Sequence, residues 1–210
     1  SNIHIKENYT TYNSQHNFSG TSGIVGFNDN GTIKNCKFTG KIEGNIDQNN
    51  KTLHCSGICR DNTGKISNCV NTGSINYTTE AHTRDSAIAG ICSRIRRTAQ
   101  IINCENYGHI NGIEKVGGIV AKASENIKIK NVINNGTVSS NDTAGGLIGQ
   151  IYPNTTIQIQ DGYNNSTLKA NNKCDPLIGI NQTSNLNQQH STFGDKTTAD
   201  IEKIQLLFKL

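Results

Sequence analysis

The seven cysteines, six histidines and sixteen acidic residues of this chain are the raw material for a metal centre or an acid–base pair, so their spacing decides which chemistry is open. For zinc, Cys and His must converge with tetrahedral spacing. Cys55 and Cys59, with His54 beside them, are the one stretch that offers this. Hydrolysis or elimination on a saccharide needs carboxylates, often with Lys or Arg, grouped on one outward strand face. Here Asp29, Asp61, Asp85, Asp142 and Asp175 fall mostly where turns are expected, and no two of them occupy matching strand positions. No Ser-His-Asp, HExxH or phosphate-loop pattern is present. The expectation is a protein that is not an enzyme and holds no cofactor or metal.

Basic charge is equally thin. The net charge of +4 is spread over the chain, and Arg94, Arg96 and Arg97 are the only local cluster. Nucleic-acid binding, which shows a basic face with stacking aromatics beside it, is not expected. No apolar run approaches the roughly 18 residues that would span a bilayer. With neither a signal peptide nor any Met, the chain is expected to be part of a longer protein.

What positions these residues is a repeat. The stretch from Ser56 to Asn76 is copied in rows that begin at Gly23, Gly57, Gly90, Gly118 and Gly146, with a weaker sixth near Pro176. The start-to-start spacings are 34, 33, 28, 28 and 30 residues, in the range of stacked supersecondary units. Each row opens Gly-apolar-apolar, as in Gly57-Ile58-Cys59, and continues Ile-x-Asn-Cys-x-Asn-x-Gly-x-Ile, complete at Ile66, Asn68, Cys69, Asn71, Gly73 and Ile75. The match loosens toward the C-terminus.

Aligned this way, the cysteines stop looking like ligands or disulfide partners. Cys36, Cys69 and Cys104 share one column with Val132; Cys59 and Cys92 share another with Val25, Val120 and Ile148; Cys55 and Cys174 share a third with Ile88, Val116 and Ala144. Positions that other rows fill with small or apolar residues are expected to hold buried free thiols. Two asparagine columns are equally regular: Asn35, Asn68, Asn103 and Asn131, then Asn71, Asn106, Asn134 and Asn164. Asn tolerates left-handed backbone angles at corners, and stacked copies can pass amide hydrogen bonds along the column as a ladder.

Only 33% of the chain is apolar and 5% aromatic, too little for a thick globular core but enough for a thin one repeated along an axis. No row carries a helical pattern, whereas short alternating segments separated by Gly and Asn recur. The predicted fold is all-β: a parallel β-solenoid (β-helix) of about five to six rungs with a period of 28–34 residues. Residues 1–20 are expected to form an N-terminal cap or partial rung, 21–181 the repeats, and 182–210 a C-terminal cap or linker. In that last segment Ile201, Ile204, Leu207 and Phe208 stand at helical spacing, although the run also suits a strand.

The runs Gly23 to Cys36 (GIVGFNDNGTIKNC) and Gly145 to Gly149 (GGLIG) resemble the GLUG repeats of bacterial surface and secreted proteins, including adhesin-like proteins and regions that accompany IgA-cleaving peptidases. The resemblance covers roughly Ser22 to Ile180 and departs where Arg60, Ser93 and Ala121 replace a closing Gly. It implies a secreted, extracellular or cell-surface repeat architecture. On that basis the expected function is a non-catalytic adhesin-type scaffold presenting loops to a host or environmental glycan or protein. The alternative is an accessory or carbohydrate-active solenoid region of a larger secreted enzyme. Insertions at 45–52 and 78–85 lengthen the first two rows at the same corner, and Tyr77, His82, Arg84 and Arg94 are the candidate partner-binding residues on that side.

Overall fold

The computed structural model describes residues 4–9, 18–46, 51–79, 83–189 and 192–193. All of its regular structure is strand, and no helix among the described residues is long and apolar enough to cross a membrane. The chain winds as a parallel β-solenoid with four faces, named here in the order in which each coil visits them. The first face stacks His4–Tyr9, Lys41–Ile46, Ser74–Thr79, His109–Gly112, Thr137–Ser140 and Leu168–Ala170. The second stacks Phe18–Ser22, Lys51–Ser56, Thr83–Ala89, Lys115–Gly117, Thr143–Gly145 and Lys173–Asp175. The third stacks Val25–Asn28, Cys59–Asn62, Cys92–Ile95, Val120–Ala123, Ile148–Ile151 and Ile178–Asn181. The fourth runs through Gln100–Asn106, Asn126–Asn134 and Thr156–Asn164, with shorter strands above and below.

Period-2 alternation puts one apolar residue per strand inside, and parallel pairing stacks these into columns. Ile42, Ile75, Ile110 and Val138 are in register on the first face, and Ile33, Ile66, Ile101, Ile129 and Ile159 on the fourth. All nine are buried in one continuous core. Each fully buried Ile contributes roughly 1.5–3 kcal/mol, so a narrow interior suffices when every rung repeats it.

Both asparagine columns are ladders. Asn68, Asn103 and Asn131 each donate from Nδ2 to Oδ1 of the preceding rung's Asn, at 3.2, 3.1 and 3.0 Å. Asn35, Asn68, Asn103 and Asn131 all have φ between 49° and 57°, and Asp161, which replaces Asn in the fifth row, has 54°. The second column is fully buried and runs the other way: Asn71 donates to Asn106 at 2.7 Å, Asn106 to Asn134 at 2.8 Å and Asn134 to Asn164 at 3.0 Å. Its oxygens also accept the amides two residues on, from Gly73, Gly108, Gly136 and Ser166. In register, the buried Phe38 lies below Asn71, and Phe193 is the backbone partner of Asn164 at the other end.

The row-start glycines serve this ladder instead of a turn angle. None has a left-handed φ; a Cβ on Gly118 would lie 2.2 Å from Asn134 Nδ2 and 2.3 Å from the Gly146 carbonyl. Gly90 and Gly146 stand in the same relation to Asn106 and Asn164.

Two expectations are corrected. Where the insertions at 45–52 and 78–85 are described, at residues 45–46, 51–52, 78–79 and 83–85, they are strand: they lengthen the first and second faces to six or seven residues, against three or four later, and Ser74–Thr79 pairs along all of Lys41–Ile46. Within the segment expected as a C-terminal cap or linker, Asn185–Gln189 and Thr192–Phe193 add to the fourth face. Of the thiols, all seven are free, but Cys36 is only half-buried and Cys174 is exposed. They lie in the first row and on the last strand of the second face, where among the described residues no further strand pairs on one side. The helical spacing at Ile201 to Phe208 lies outside the described residues.

Candidate functional site

The second face ends and the third begins within two or three residues, at turns such as Gly117-Gly118-Ile119. A Cβ on Gly117 would sit 1.9 Å from the Val120 carbonyl oxygen, and one on Gly145 would sit 1.9 Å from that of Ile148. In these two rungs no side chain fits at that position, which Ser56 and Ala89 hold in earlier rungs and Asp175 in the last. The outward sides of the two faces therefore turn toward each other and close a notch. At its apex Ala87, Ala89 and Ala121 form a small apolar cluster separate from the main core, and Ser93 Oγ donates to the Ala87 carbonyl at 2.8 Å.

Charged side chains fill the rest of the notch. One column of the third face reads Phe27, Asp61, Arg94, Lys122, Gln150 and Ile180 in register. Asp61 is buried between two guanidinium groups: Arg60 Nε is 2.9 Å from Oδ2 and Arg94 Nε is 2.5 Å from Oδ1. Lys122, buried although charged, donates to Asp85 on the second face, and His54 Nε2 lies 3.9 Å from the other oxygen of that carboxylate. Glu114 accepts from Thr83 Oγ1 at 2.5 Å and from the Ser86 amide at 3.0 Å. Lys115 pairs with Asp142, which also accepts from Asn172 at 2.8 Å.

These neighbours set the protonation states. Burial pushes the Asp85 carboxyl up, but the His54 imidazole and the Lys122 ammonium pull it down by more, below the usual carboxylate range. Asp142 is likewise held low, against its burial, by Lys115 and Asn172. His54 is lowered because burial disfavours the imidazolium more than Asp85 favours it. Lys122 is lowered by burial, which Asp85 offsets only in part. Burial raises the Tyr152 phenol, and the Asp85 charge adds to it.

Beside the notch, the early rungs of the third face carry an open depression of about 340 Å³ lined by Phe27, Arg60, Asp61, Arg94 and Arg96. Phe27 is 47% exposed, and the Arg96 guanidinium carbon stands 5.9 Å from the centre of its ring. Arg97, next along the chain, points to Asp29 instead, at 3.3 Å.

Of the four candidate partner-binding residues Tyr77, His82, Arg84 and Arg94, Arg94 is the one placed in this charged surface. Tyr77 is buried, not presented: on Ser74–Thr79 it follows Ile75 into the core, where its ring fills the space a side chain on Gly44 would need. Arg84 lies on Thr83–Ala89, where the register with Lys51–Ser56 shifts, and His82 lies outside the described residues. The zinc candidate is taken apart by alternation. Cys55 faces the core while His54 faces the notch, and among the described residues no three His, Cys, Asp or Glu side chains converge on a metal position.

Asp61 and Asp85 are strand residues, not turn residues. The row alignment contained the signal for the first of them: the fourth position after each row start reads Phe27, Asp61, Arg94, Lys122 and Gln150, a column with three charged members. The contribution of Asp85 and His54 required knowing that the second and third faces fold against each other.

No curated protein and no solved structure matches this chain. Residues 23–43 match the family model of the GLUG motif. They span the third-face strand Val25–Asn28 and the fourth-face strands Thr32–Lys34 and Lys37–Phe38, and they enter Lys41–Ile46 of the first face. The chain is a parallel β-solenoid that carries a GLUG motif in its first row and repeats the same Gly, Asn and apolar positions up the coil.

Proposed function

We propose that the chain is a non-catalytic repeat module of a secreted or cell-surface protein, an adhesin-type scaffold that holds a recognition surface toward a glycan or protein partner. The observation that carries this reading is the pairing of charge in the notch. Asp61 is held by Arg60 and Arg94, Asp85 by Lys122, and Asp142 by Lys115. Acid catalysis on a glycosidic bond uses a carboxyl whose pKa is raised toward neutrality, opposite a second, ionised one. Asp85 and Asp142 are instead both held low. Paired charges on a rigid strand scaffold suit recognition, and the GLUG motif supports an extracellular setting.

A second reading, a carbohydrate-active or accessory solenoid, is favoured by one observation: His54, Lys122 and Tyr152 surround Asp85 close to Arg94, a set able to move protons. Incubating the full chain with neutral and acidic polysaccharides separates the two. Unchanged polymer length, with no new reducing ends, is expected. Chain cleavage that disappears in Lys122→Met would replace the scaffold reading with the enzymatic one.

A further inference from the structure

We infer that the depression lined by Phe27, Arg60, Asp61, Arg94 and Arg96 binds an anionic sugar of an acidic polysaccharide, with its carboxylate or sulfate against the guanidinium groups and its ring against Phe27. The inference rests on the scaffold reading and names the partner class for it.

Charge comes first. Three arginines and one carboxylate line the depression, so two positive charges are uncompensated within it. Asp61 holds Arg60 at 2.9 Å and Arg94 at 2.5 Å, which fixes both guanidinium groups before any ligand arrives. Ordering them is then part of folding and not of binding. Arg96 has no acidic partner among the described residues, and its buried Nε finds no hydrogen-bond acceptor. A guanidinium without a counter-charge beside two fixed ones forms a fork-rich surface suited to carboxylate or sulfate oxygens.

Shape and the aromatic ring narrow the class. Phe27 is one of three large apolar residues exposed among those described, and it stands in register with Asp61 and Arg94. A flat ring with apolar C–H faces and its charge on the edge uses the phenyl face and the cations together. An acidic peptide side chain on a flexible stem would engage the arginines and leave Phe27 idle. Single-stranded nucleic acid would want several stacking rings along a basic groove, and the depression has one.

The test is titration calorimetry of the full 210-residue chain with oligogalacturonate and with a sulfated galactan oligosaccharide, each against its neutral counterpart, methyl-esterified or desulfated. Binding of at least one charged form, about tenfold or more tighter than its neutral counterpart, is expected. The two charged arms tell carboxylate from sulfate. Arg96→Gln, which leaves both Asp61 pairs intact, and Phe27→Ser should each weaken binding about tenfold or more. Lys128→Gln, on the fourth face, should leave it unchanged.

Equal affinity for charged and neutral forms, equal loss in Lys128→Gln, or tighter binding of poly-glutamate would overturn the assignment. So would the absence of binding to either acidic oligosaccharide. These failures are distinct from failure of the scaffold reading, which is marked by cleavage of a polymer and not by loss of affinity.

Discussion

Asn71 and Asn106 are joined by a buried amide hydrogen bond of 2.7 Å that runs up the coil, while Asn68 and Asn103, three residues earlier in the same two rungs, are joined by one of 3.1 Å that runs down it. The two ladders therefore oppose their side-chain dipoles, and they differ in burial. Removing a ladder member orphans groups on both neighbouring rungs. In the buried column those groups cannot turn to water.

Asn106→Ala should consequently cost roughly 2–4 kcal/mol, because Asn71 Nδ2, Asn134 Oδ1 and two groups of Gly108 lose a hydrogen bond, not all of which repacking restores. Asn103→Ala should cost about 1–2 kcal/mol, mainly from placing Ala at a φ of 53°. Asn103→Gly should recover most of that loss. Urea unfolding of the three variants checks the order; equal costs for the buried and outer ladders would remove the distinction.

A second pair of substitutions separates close packing from backbone freedom. Gly118→Ala places a methyl 2.2 Å from Asn134 Nδ2 and 2.3 Å from the Gly146 carbonyl, so it must displace either the ladder or the next rung. A loss above about 3 kcal/mol is expected. Gly26→Ala meets nothing within 4 Å and should be neutral or slightly stabilising, through the unfolded chain. Thermal melting of both proteins decides the point, and a mild Gly118→Ala would show that the ladder tolerates a shifted rung.

The coil, its period and both ladders were legible in the sequence because each depends on one residue type recurring at one row position. Ile66, Asn68 and Asn71 meet their own copies one rung away, so alignment in one dimension predicts contact in three. The notch was not legible, because His54 and Asp85 meet Lys122 and Arg94 only after the second face folds back on the third, through the Gly117-Gly118 type of turn. Tyr77 was misplaced for a related reason. Its place beside the insertion at 78–85 suggests an exposed loop side, whereas it belongs to the strand Ser74–Thr79, and alternation from Ile75 carries its ring inward.

Thiol reactivity tests burial against acidity. Cys69 lies in a stack with Cys36 and Cys104, and a hydrogen bond from Cys104 draws its pKa down to about 7 despite its burial. Cys92 and Cys104 are held well above the ordinary thiol value by burial. If acidity governed, Cys69 would react first. Because Cys69 is inaccessible in the core, native-state alkylation followed by mass spectrometry should instead label Cys174 and, more slowly, Cys36, leaving the other five until denaturant is added.

Acid should weaken the fold in two stages. His54 has a lowered pKa in the folded state, so its neutral form is favoured there, and the unfolded chain binds the extra proton first. Its contribution is fully present above the unfolded value of about 6.5 and declines as pH falls below it. Asp85 is depressed in the folded state, so its contribution is present above about 3.9 and is lost as pH falls further, toward its folded value. Stability measured by urea midpoint should therefore decline gently below about pH 6.5 and more steeply below about pH 4. In His54→Gln the first decline should flatten while the second remains, because Lys122 still pairs with Asp85. A variant that keeps the full slope between pH 6.5 and 4 would assign it to groups other than His54.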